Sequence, residues 1–216
     1  HFEQLFAMAN QLEWDLPELE HVIFGHMSLP DAKMSTRKGN IIKLEDALDE
    51  AVKRADKLIS ERETIVAESE KEELSEMVGI GAFVYTILSQ NRKSNIVFTW
   101  DKAMTFEGNS GPYIQYTHAR AKSVLSKAEI DKIDPPSDIE SLENHELMLM
   151  RHMAKFPAAL EQARKDAMPH KLTQYLYELC QNYNSMYNAL PIIKADEPQK
   201  ALRLALTKLT ADILKT

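Results

Sequence analysis

The sequence predicts a mainly α-helical protein that begins with a small α/β part. Three observations lead to this fold class. Apolar residues recur at helical spacing over most of the 216 residues, and two short runs rich in β-branched and aromatic residues lie in the first half. Beyond residue 138 the helical pattern is almost continuous. Hydrophobic residues make up 44% of the chain, which is enough to bury a sizeable core.

The first part of the chain is predicted to contain a helix and then a strand. An amphipathic helix opens it and ends before Pro17, with apolar residues at helical spacing: Phe2, Leu5, Phe6, Ala9 and Leu12. Residues 21–27 are predicted as a strand, since they are rich in β-branched and aromatic side chains and lie between two prolines. A loop with three basic residues follows over 30–40.

Two longer helices and a second strand follow this loop. Residues 44–59 carry apolar side chains on one face, starting with Leu44, and charges on the other, which predicts an amphipathic helix. The acidic stretch 68–76 is interpreted as the solvated entry to a helix over 74–89, because negative charge suits a helix N-terminus. Residues 95–100 are predicted as a short strand.

The remainder is predicted to be a helical bundle. Pro112 opens a helix that runs to about residue 128, because proline is tolerated in a first turn. Residues 134–138 form the clearest internal break, and three helices are predicted beyond it: 139–165, 172–189 and 199–215. Pro157 is expected to kink or divide the first of them.

Composition and charge exclude some classes of protein. The formal net charge of −7 argues against a protein that coats nucleic acid by bulk positive charge, so any RNA binding must use local patches. No apolar run approaches the roughly 20 residues that span a bilayer. Cys180 is the single cysteine, so no internal disulfide can form. We therefore expect a reducing cytoplasm, with Cys180 as a buried apolar side chain.

The loop over 33–40 carries the chemistry of the first part. It places three cations, two hydroxyls and a glycine within eight residues, after a predicted strand and before a predicted helix. Lysines neutralise charge on a leaving pyrophosphate, hydroxyls and main-chain N–H groups donate to phosphate oxygens, and glycine lets the main chain approach. This combination suits a polyphosphate, whereas composition alone also fits a solvated basic surface loop.

The order of residues in this loop resembles a known signature. Lys-Met-Ser-Thr-Arg-Lys-Gly-Asn at 33–40 resembles the Lys-Met-Ser-Lys-Ser loop of class I aminoacyl-tRNA synthetases, in its arginyl form. The resemblance implies that Lys33 and Ser35 are catalytic, with Lys33 stabilising the transition state as arginine attacks the α-phosphate of ATP. It also implies that Met34 anchors the loop by packing and that Gly39 lies at the ATP site.

One position of the loop departs from the signature. Thr36 stands where the signature has its second lysine, so either Lys38 supplies the second catalytic charge from a shifted position or another element does. The opening run His-Phe-Glu-Gln-Leu-Phe resembles the family's helix beside the ATP site, which implies that His1 and Gln4 face the nucleotide. A histidine at a helix start also fits a capping or surface group. Main-chain groups of two further residues are implied to lie against the adenine: His26 and Met27.

A second resemblance lies at 111–120, Gly-Pro-Tyr-Ile-Gln-Tyr-Thr-His-Ala-Arg. Tyr113, Tyr116 and Arg120 share one stripe of the predicted helix. Aromatic rings stack on unpaired bases and arginine pairs with phosphate, although a core-facing stripe also fits the spacing. The run is similar to the arginyl-synthetase motif that opens the helical anticodon-binding domain, which implies that these three residues serve both packing and tRNA contact. Tyr187 lies in a run similar to a later helix of that domain and is the candidate for stacking near the anticodon. Core packing is the competing interpretation for each of these tyrosines.

The resemblance covers nearly the whole chain and implies a domain organisation and a function. Residues 1–60 would be the end of a Rossmann-type α/β catalytic domain, 61–110 a connecting helical region, and 111–216 an α-helical bundle anticodon-binding domain with an incomplete end. ATP, accompanied by Mg²⁺, would be a substrate. No metal site of the protein's own is expected, because its histidines show no metal-ligand spacing. Arginine and arginine tRNA would be the other partners of a monomer.

Part of the family pattern is missing, and alternatives stay open. No His-Ile-Gly-His-type motif occurs, so we expect a fragment of an arginyl-tRNA synthetase that is inactive alone. An independent helical RNA- or protein-binding module is one alternative. A fragment of another class I synthetase, such as the cysteinyl or glutaminyl enzyme, is the other, and the run at 111–120 disfavours it.

Overall fold

The computed structural model describes residues 1–12, 14–28, 30, 43–61, 67–128, 136 and 138–215. Helices dominate this part of the chain, which confirms the predicted fold class. Nine helices and two strands occur in these residues, in this order: α1 Phe2–Gln11, β1 Met27–Ser28, α2 Leu44–Ser60, α3 Glu68–Leu88, β2 Ile96–Val97, α4 Trp100–Ala103, α5 Gly111–Ala128, α6 Asn144–Met153, α7 Phe156–Lys165, α8 Pro169–Ala189 and α9 Gln199–Lys215. None of the described helices is long and apolar enough to cross a membrane.

The two strands are short and pair in parallel. The strand predicted over 21–27 is wrong except at its last residue, because the preceding main chain bonds to a loop instead of a neighbouring strand. The Gly25 N–H donates to the Arg92 carbonyl at 2.6 Å, and the His26 N–H donates to Asn95 Oδ1 at 3.0 Å. β2 is also shorter than predicted, because the short helix α4 begins three residues after it.

Small side chains let α2 pack closely on α3. Ala47, Ala51 and Ala55 form the buried face of α2. At Gly79 of α3, an added Cβ would lie 2.6 Å from the Ala51 carbonyl oxygen, so this approach requires glycine. The helix is confirmed, but Leu44 is 65% exposed and does not share the buried face. Leu44 is the first residue of α2 and precedes the first buried alanine by almost a full turn.

α3 begins earlier than predicted, at Glu68, so the acidic stretch forms its first turns and does not precede it. Negative charge is favourable there because the exposed main-chain N–H groups of a helix N-terminus carry partial positive charge. The later part of α3 contributes Phe83, whose ring lies 5.4 Å from the ring of Phe98. Phe98 in turn lies 4.9 Å from Trp100 of α4, centroid to centroid. These rings, together with Ala47 and Ala51 of α2, belong to the first of two cores.

The second, larger core lies between α5, α6, α8 and α9. Its fully buried side chains include Leu149, Leu179, Tyr183, Met186 and Leu204. The helix predicted over 139–165 is two helices, α6 and α7, and Pro157 lies in the first turn of α7, where proline is tolerated. The helices predicted over 172–189 and 199–215 are confirmed as α8 and α9.

Close contacts join the two cores. At Gly111, the first residue of α5, an added Cβ would lie 2.8 Å from Ala82 Cα on α3. The Tyr85 hydroxyl of α3 donates to the Thr173 carbonyl of α8 at 3.1 Å. The helical bundle therefore packs directly against the helix that follows the α/β part.

Candidate nucleic-acid interface

α5 and the C-terminal half of α8 bring three of the predicted tRNA-contact residues together. Tyr116 and Arg120 lie on α5, and Tyr187 lies on α8. Tyr116 is 46% exposed and Tyr187 is 38% exposed, whereas Arg120 is half-buried. Because both rings are partly exposed, neither Tyr116 nor Tyr187 serves only to pack the core.

The guanidinium of Arg120 lies between the two tyrosine rings. Its Cζ is 4.9 Å from the ring centroid of Tyr116 and 4.8 Å from that of Tyr187. A cation over an aromatic face is attracted by the negative charge of that face. Nη2 of Arg120 also donates to the Tyr116 hydroxyl at 3.4 Å. The result is one positive charge flanked by two partly exposed rings.

A polar network behind the rings fixes the orientation of Arg120. Nη1 of Arg120 donates to Asn184 Oδ1 at 2.6 Å. Nδ2 of Asn184 donates to Thr117 Oγ1 at 3.0 Å and to the Tyr113 hydroxyl at 3.1 Å. Burial raises the pKa of the Tyr113 hydroxyl, and the hydrogen bond from Asn184 lowers it in part. Tyr113 is therefore a neutral acceptor in the network and is placed behind the exposed pair of rings.

These residues form one side of a groove of about 640 Å³ between α5, the end of α8 and the segment that follows α8. Three cations line it: Arg120, Lys127 and Lys194. Leu190, Pro191 and the neighbouring isoleucines form its apolar wall. Cations bind phosphates and exposed rings stack on bases, which is the combination that holds single-stranded RNA. The groove is therefore a local basic and aromatic patch on a chain of net charge −7.

A buried ion pair holds the wall of the groove, and sequence analysis did not identify it. Nε of Arg203 donates to Glu146 Oε1 at 2.6 Å, and Nη1 donates to the Pro191 carbonyl at 2.7 Å. The Glu143 N–H donates to the other carboxylate oxygen of Glu146 at 2.7 Å, which completes a capping box at the start of α6. No local sequence pattern could have identified the pair, because Arg203 and Glu146 lie 57 residues apart in the sequence.

The residues predicted on the nucleotide side are not brought together in the same way. His1 is the exposed N-cap of α1 and Gln4 is exposed on α1, whereas His26 precedes β1 and Met27 opens it. Among the described residues, no hydrogen bond, ion pair or ring contact joins the first two to the last two. Five predicted residues lie outside the described part of the chain: Lys33, Met34, Ser35, Lys38 and Gly39.

Two known families match separate parts of the chain. Residues 1–100 match the family described as tRNA synthetases class I (R), catalytic domain, and residues 114–216 match the DALR anticodon binding domain. The chain belongs to the arginyl-tRNA synthetase family. The alternative of an independent RNA- or protein-binding module is not favoured, because nearly half of the chain matches a catalytic domain.

Curated relatives match the chain over most or all of its length. The arginine–tRNA ligase of Haemophilus ducreyi is 46% identical over 198 residues, which cover 91% of this chain and 35% of the relative. That of Fusobacterium nucleatum is 39% identical over 217 residues, which cover 100% of this chain and 38% of the relative. The chain thus spans a little over a third of the length of these curated relatives.

Solved structures of the family share the fold. The arginyl-tRNA synthetase of Thermus thermophilus matches with a TM-score of 0.79 at 31% identity, over 88% of this chain and 32% of that one. That of Plasmodium falciparum matches with a TM-score of 0.81 at 27% identity, over 100% of this chain and 36% of that one. The groove described above lies within residues 114–216, which match the DALR anticodon binding domain.

Cys180 and His152 are packed side chains of the helical bundle. Cys180 is fully buried, as predicted, and burial raises the pKa of its thiol to about 12, while a hydrogen bond with Thr117 opposes the rise. His152 stacks on the ring of Tyr175 at 4.4 Å, and its Nε2 is 2.9 Å from the Tyr175 carbonyl oxygen. Within the described ranges, no group of three or more His, Cys, Asp or Glu residues could hold a metal ion.

Proposed function

We propose that this chain is part of an arginine–tRNA ligase, an enzyme that activates arginine with ATP and transfers it to arginine tRNA. In this proposal residues around 26–40 bind ATP, and the groove on α5 and α8 binds the anticodon loop. Membership of the arginyl-tRNA synthetase family supports the reaction class. The position of Arg120 between two partly exposed tyrosine rings is the single observation that carries the tRNA contact.

The proposed ATP site combines two groups of residues. Lys33, Ser35 and Lys38 would stabilise charge on the phosphates during adenylate formation, with Met34 and Gly39 shaping the loop. His1, Gln4, His26 and Met27 would contact the nucleotide. The pairing of Met27 with Ile96 and the hydrogen bond from the His26 N–H to Asn95 Oδ1 support this proposal, because they fix the position of both residues shortly before Lys33 in the sequence. Mg²⁺ would arrive with ATP as part of the substrate.

The proposed tRNA site assigns different roles to the tyrosines. Tyr116 and Tyr187 would stack on unpaired bases, because each offers an exposed ring beside a cation. Arg120 would pair with phosphate or stack on a base. Tyr113 would act less directly, because its hydroxyl bonds to Asn184 and its ring lies 5.7 Å from that of Tyr177.

The wider setting of the chain is part of the same proposal. Residues 1–60 would complete the catalytic domain, 61–110 would connect it to the bundle, and 111–216 would form the anticodon-binding domain. We propose a monomer that works in the cytoplasm. The buried, unpaired thiol of Cys180 supports a reducing compartment.

Arginylation by the full-length polypeptide in which this sequence occurs tests the proposal. We expect ATP-dependent attachment of arginine to arginine tRNA. Arg120→Ala should raise the KM for tRNA by roughly 10-fold with kcat almost unchanged, because the proposed role of Arg120 is to bind tRNA and not to take part in the chemical step. Lys122→Ala is the matched control, since this exposed lysine lies on α5 and does not line the groove.

Two results would contradict the proposal. Absence of arginylation by the purified full-length protein would refute the reaction. An Arg120→Ala enzyme that arginylates with the KM of the Lys122→Ala control would remove the groove from tRNA recognition. Circular dichroism must show that both variants keep their helices.

A further inference from the structure

Arg92 joins the segment before β1 to the turn between α7 and α8. Its guanidinium donates three hydrogen bonds, all to main-chain carbonyls: Nη1 to Ile23, Nε to Ala167 at 2.6 Å and Nη2 to Asp166 at 3.3 Å. Its own carbonyl accepts the Gly25 N–H at 2.6 Å. One half-buried residue therefore bonds to the α/β part through Ile23 and Gly25 and to the helical bundle through Asp166 and Ala167.

The segment before β1 is held tightly against the loop that contains Arg92. At Gly25, an added Cβ would lie 2.1 Å from the Ser94 carbonyl oxygen, so only glycine fits this approach. The next residue, His26, donates its N–H to Asn95 Oδ1. His26 and Met27 are the residues proposed to lie against the adenine, so the loop at 92–95 sets their position.

The turn on the bundle side is strained and is braced by side chains. Ala167 has a φ of +49°, in the left-handed region that favours glycine. The Met168 N–H donates to the Ala163 carbonyl at 2.9 Å, the pattern with which a helix ends at a left-handed residue. Lys171 pairs with Asp166, and Arg92 binds the carbonyls of Asp166 and Ala167. A strained turn keeps its geometry only where its surroundings fix it.

We propose that Arg92 is a positioning residue for the nucleotide site. It fixes residues 23–27 against the α7–α8 turn, so the helical bundle sets the geometry in which ATP is bound. This inference rests on the proposed function, in which residues 26 and 27 meet the adenine. It assigns a role in nucleotide binding to a side chain that contacts only main-chain carbonyls in its three described hydrogen bonds.

Substitutions on both sides of the contact test this inference in the full-length polypeptide. Arg92→Ala should raise the dissociation constant for ATP by roughly 10-fold or more, because several hydrogen bonds from a charged group are lost. The dissociation constant for arginine tRNA should change by less than about twofold, since the groove is a separate site. Arg92→Lys should give an intermediate ATP affinity, because a single ammonium cannot reproduce the guanidinium fork.

Lys171→Ala tests the bundle side. It should also weaken ATP binding, and its effect should not add fully to that of Arg92→Ala, because both residues hold one turn. Arg164→Ala is the matched control: this exposed arginine of α7 pairs with Glu161 and leaves the turn's side-chain bonds intact. Calorimetry with ATP and filter binding with tRNA give the two constants, and circular dichroism checks folding.

The outcomes separate the inference from the proposed function. A folded Arg92→Ala protein with unchanged ATP affinity would overturn the inference alone, as would an equal loss of ATP and tRNA affinity, which indicates general loosening. If Arg92→Ala does not fold, Arg92→Lys and Lys171→Ala must each bind ATP more weakly than Arg164→Ala, and equal binding overturns the inference. Failure of the wild-type protein to bind ATP would overturn the proposed function and this inference with it.

Discussion

Removing the guanidinium of Arg203 should strongly destabilise the helical bundle. Glu146 is fully buried and Arg203 is only 6% exposed, so Arg203→Met leaves an uncompensated carboxylate in the core. Hydrogen bonds to charged groups contribute about 1.5–3 kcal/mol each, and Arg203 makes two described ones, to Glu146 and to Pro191. Their sum, roughly 3–6 kcal/mol, agrees with the loss of about 3–5 kcal/mol typical of breaking a buried pair from one side.

Urea unfolding followed by circular dichroism measures this loss through the midpoint and slope of the transition. Glu146→Gln/Arg203→Met should be more stable than Arg203→Met alone, because the double variant leaves no buried charge and keeps an acceptor for the Glu143 N–H. Arg164→Met, which breaks an exposed pair, should leave the midpoint unchanged within error. The reasoning is refuted if Arg203→Met costs less than about 1 kcal/mol or if the double variant is no more stable than the single one.

Three further predictions follow from single residues. Ala167→Gly should stabilise the protein by up to about 1 kcal/mol, because relief of left-handed strain exceeds the added entropy of the unfolded chain, and a lower urea midpoint would contradict this. Burial raises the pKa of Cys180 to about 12, so a thiol reagent at pH 8 should label it only as fast as the protein unfolds, and rapid labelling of native protein would contradict its burial. Lys33→Ala in the full-length polypeptide should lower arginine-dependent ATP–pyrophosphate exchange roughly 10²-fold with arginine affinity preserved, and an unchanged rate would remove Lys33 from the mechanism.

Local patterns predicted the helices better than the strands. The bounds of α9 follow from an amphipathic run that begins after Pro198, because helix formation depends on residues three and four apart. A strand needs a distant partner, and β1 pairs only where β2 lies beside it, 69 residues away. The main chain over 21–26 therefore does not form the predicted strand, because its hydrogen bonds are made with the loop at 92–95.

Only the part of the candidate interface that depends on residues close in sequence was predictable. Tyr116 and Arg120 share a stripe because they lie four apart on one helix. The contacts that fix them join residues far apart in sequence: Arg120 to Asn184, and Arg203 to Glu146 on the wall of the groove. Nothing in a local pattern distinguishes an arginine that meets such a partner from one that faces water.

Anticodon transplantation tests the central claim, that the groove around Arg120 recognises the anticodon loop. The arginine anticodon is placed in the tRNA of another amino acid, and the affinity gained by this transplant is measured across a salt series. The account predicts a gain for the wild-type full-length protein and for the Lys122→Ala control, and little or no gain for Arg120→Ala. An equal gain in Arg120→Ala, or no gain in the wild-type protein, would contradict it.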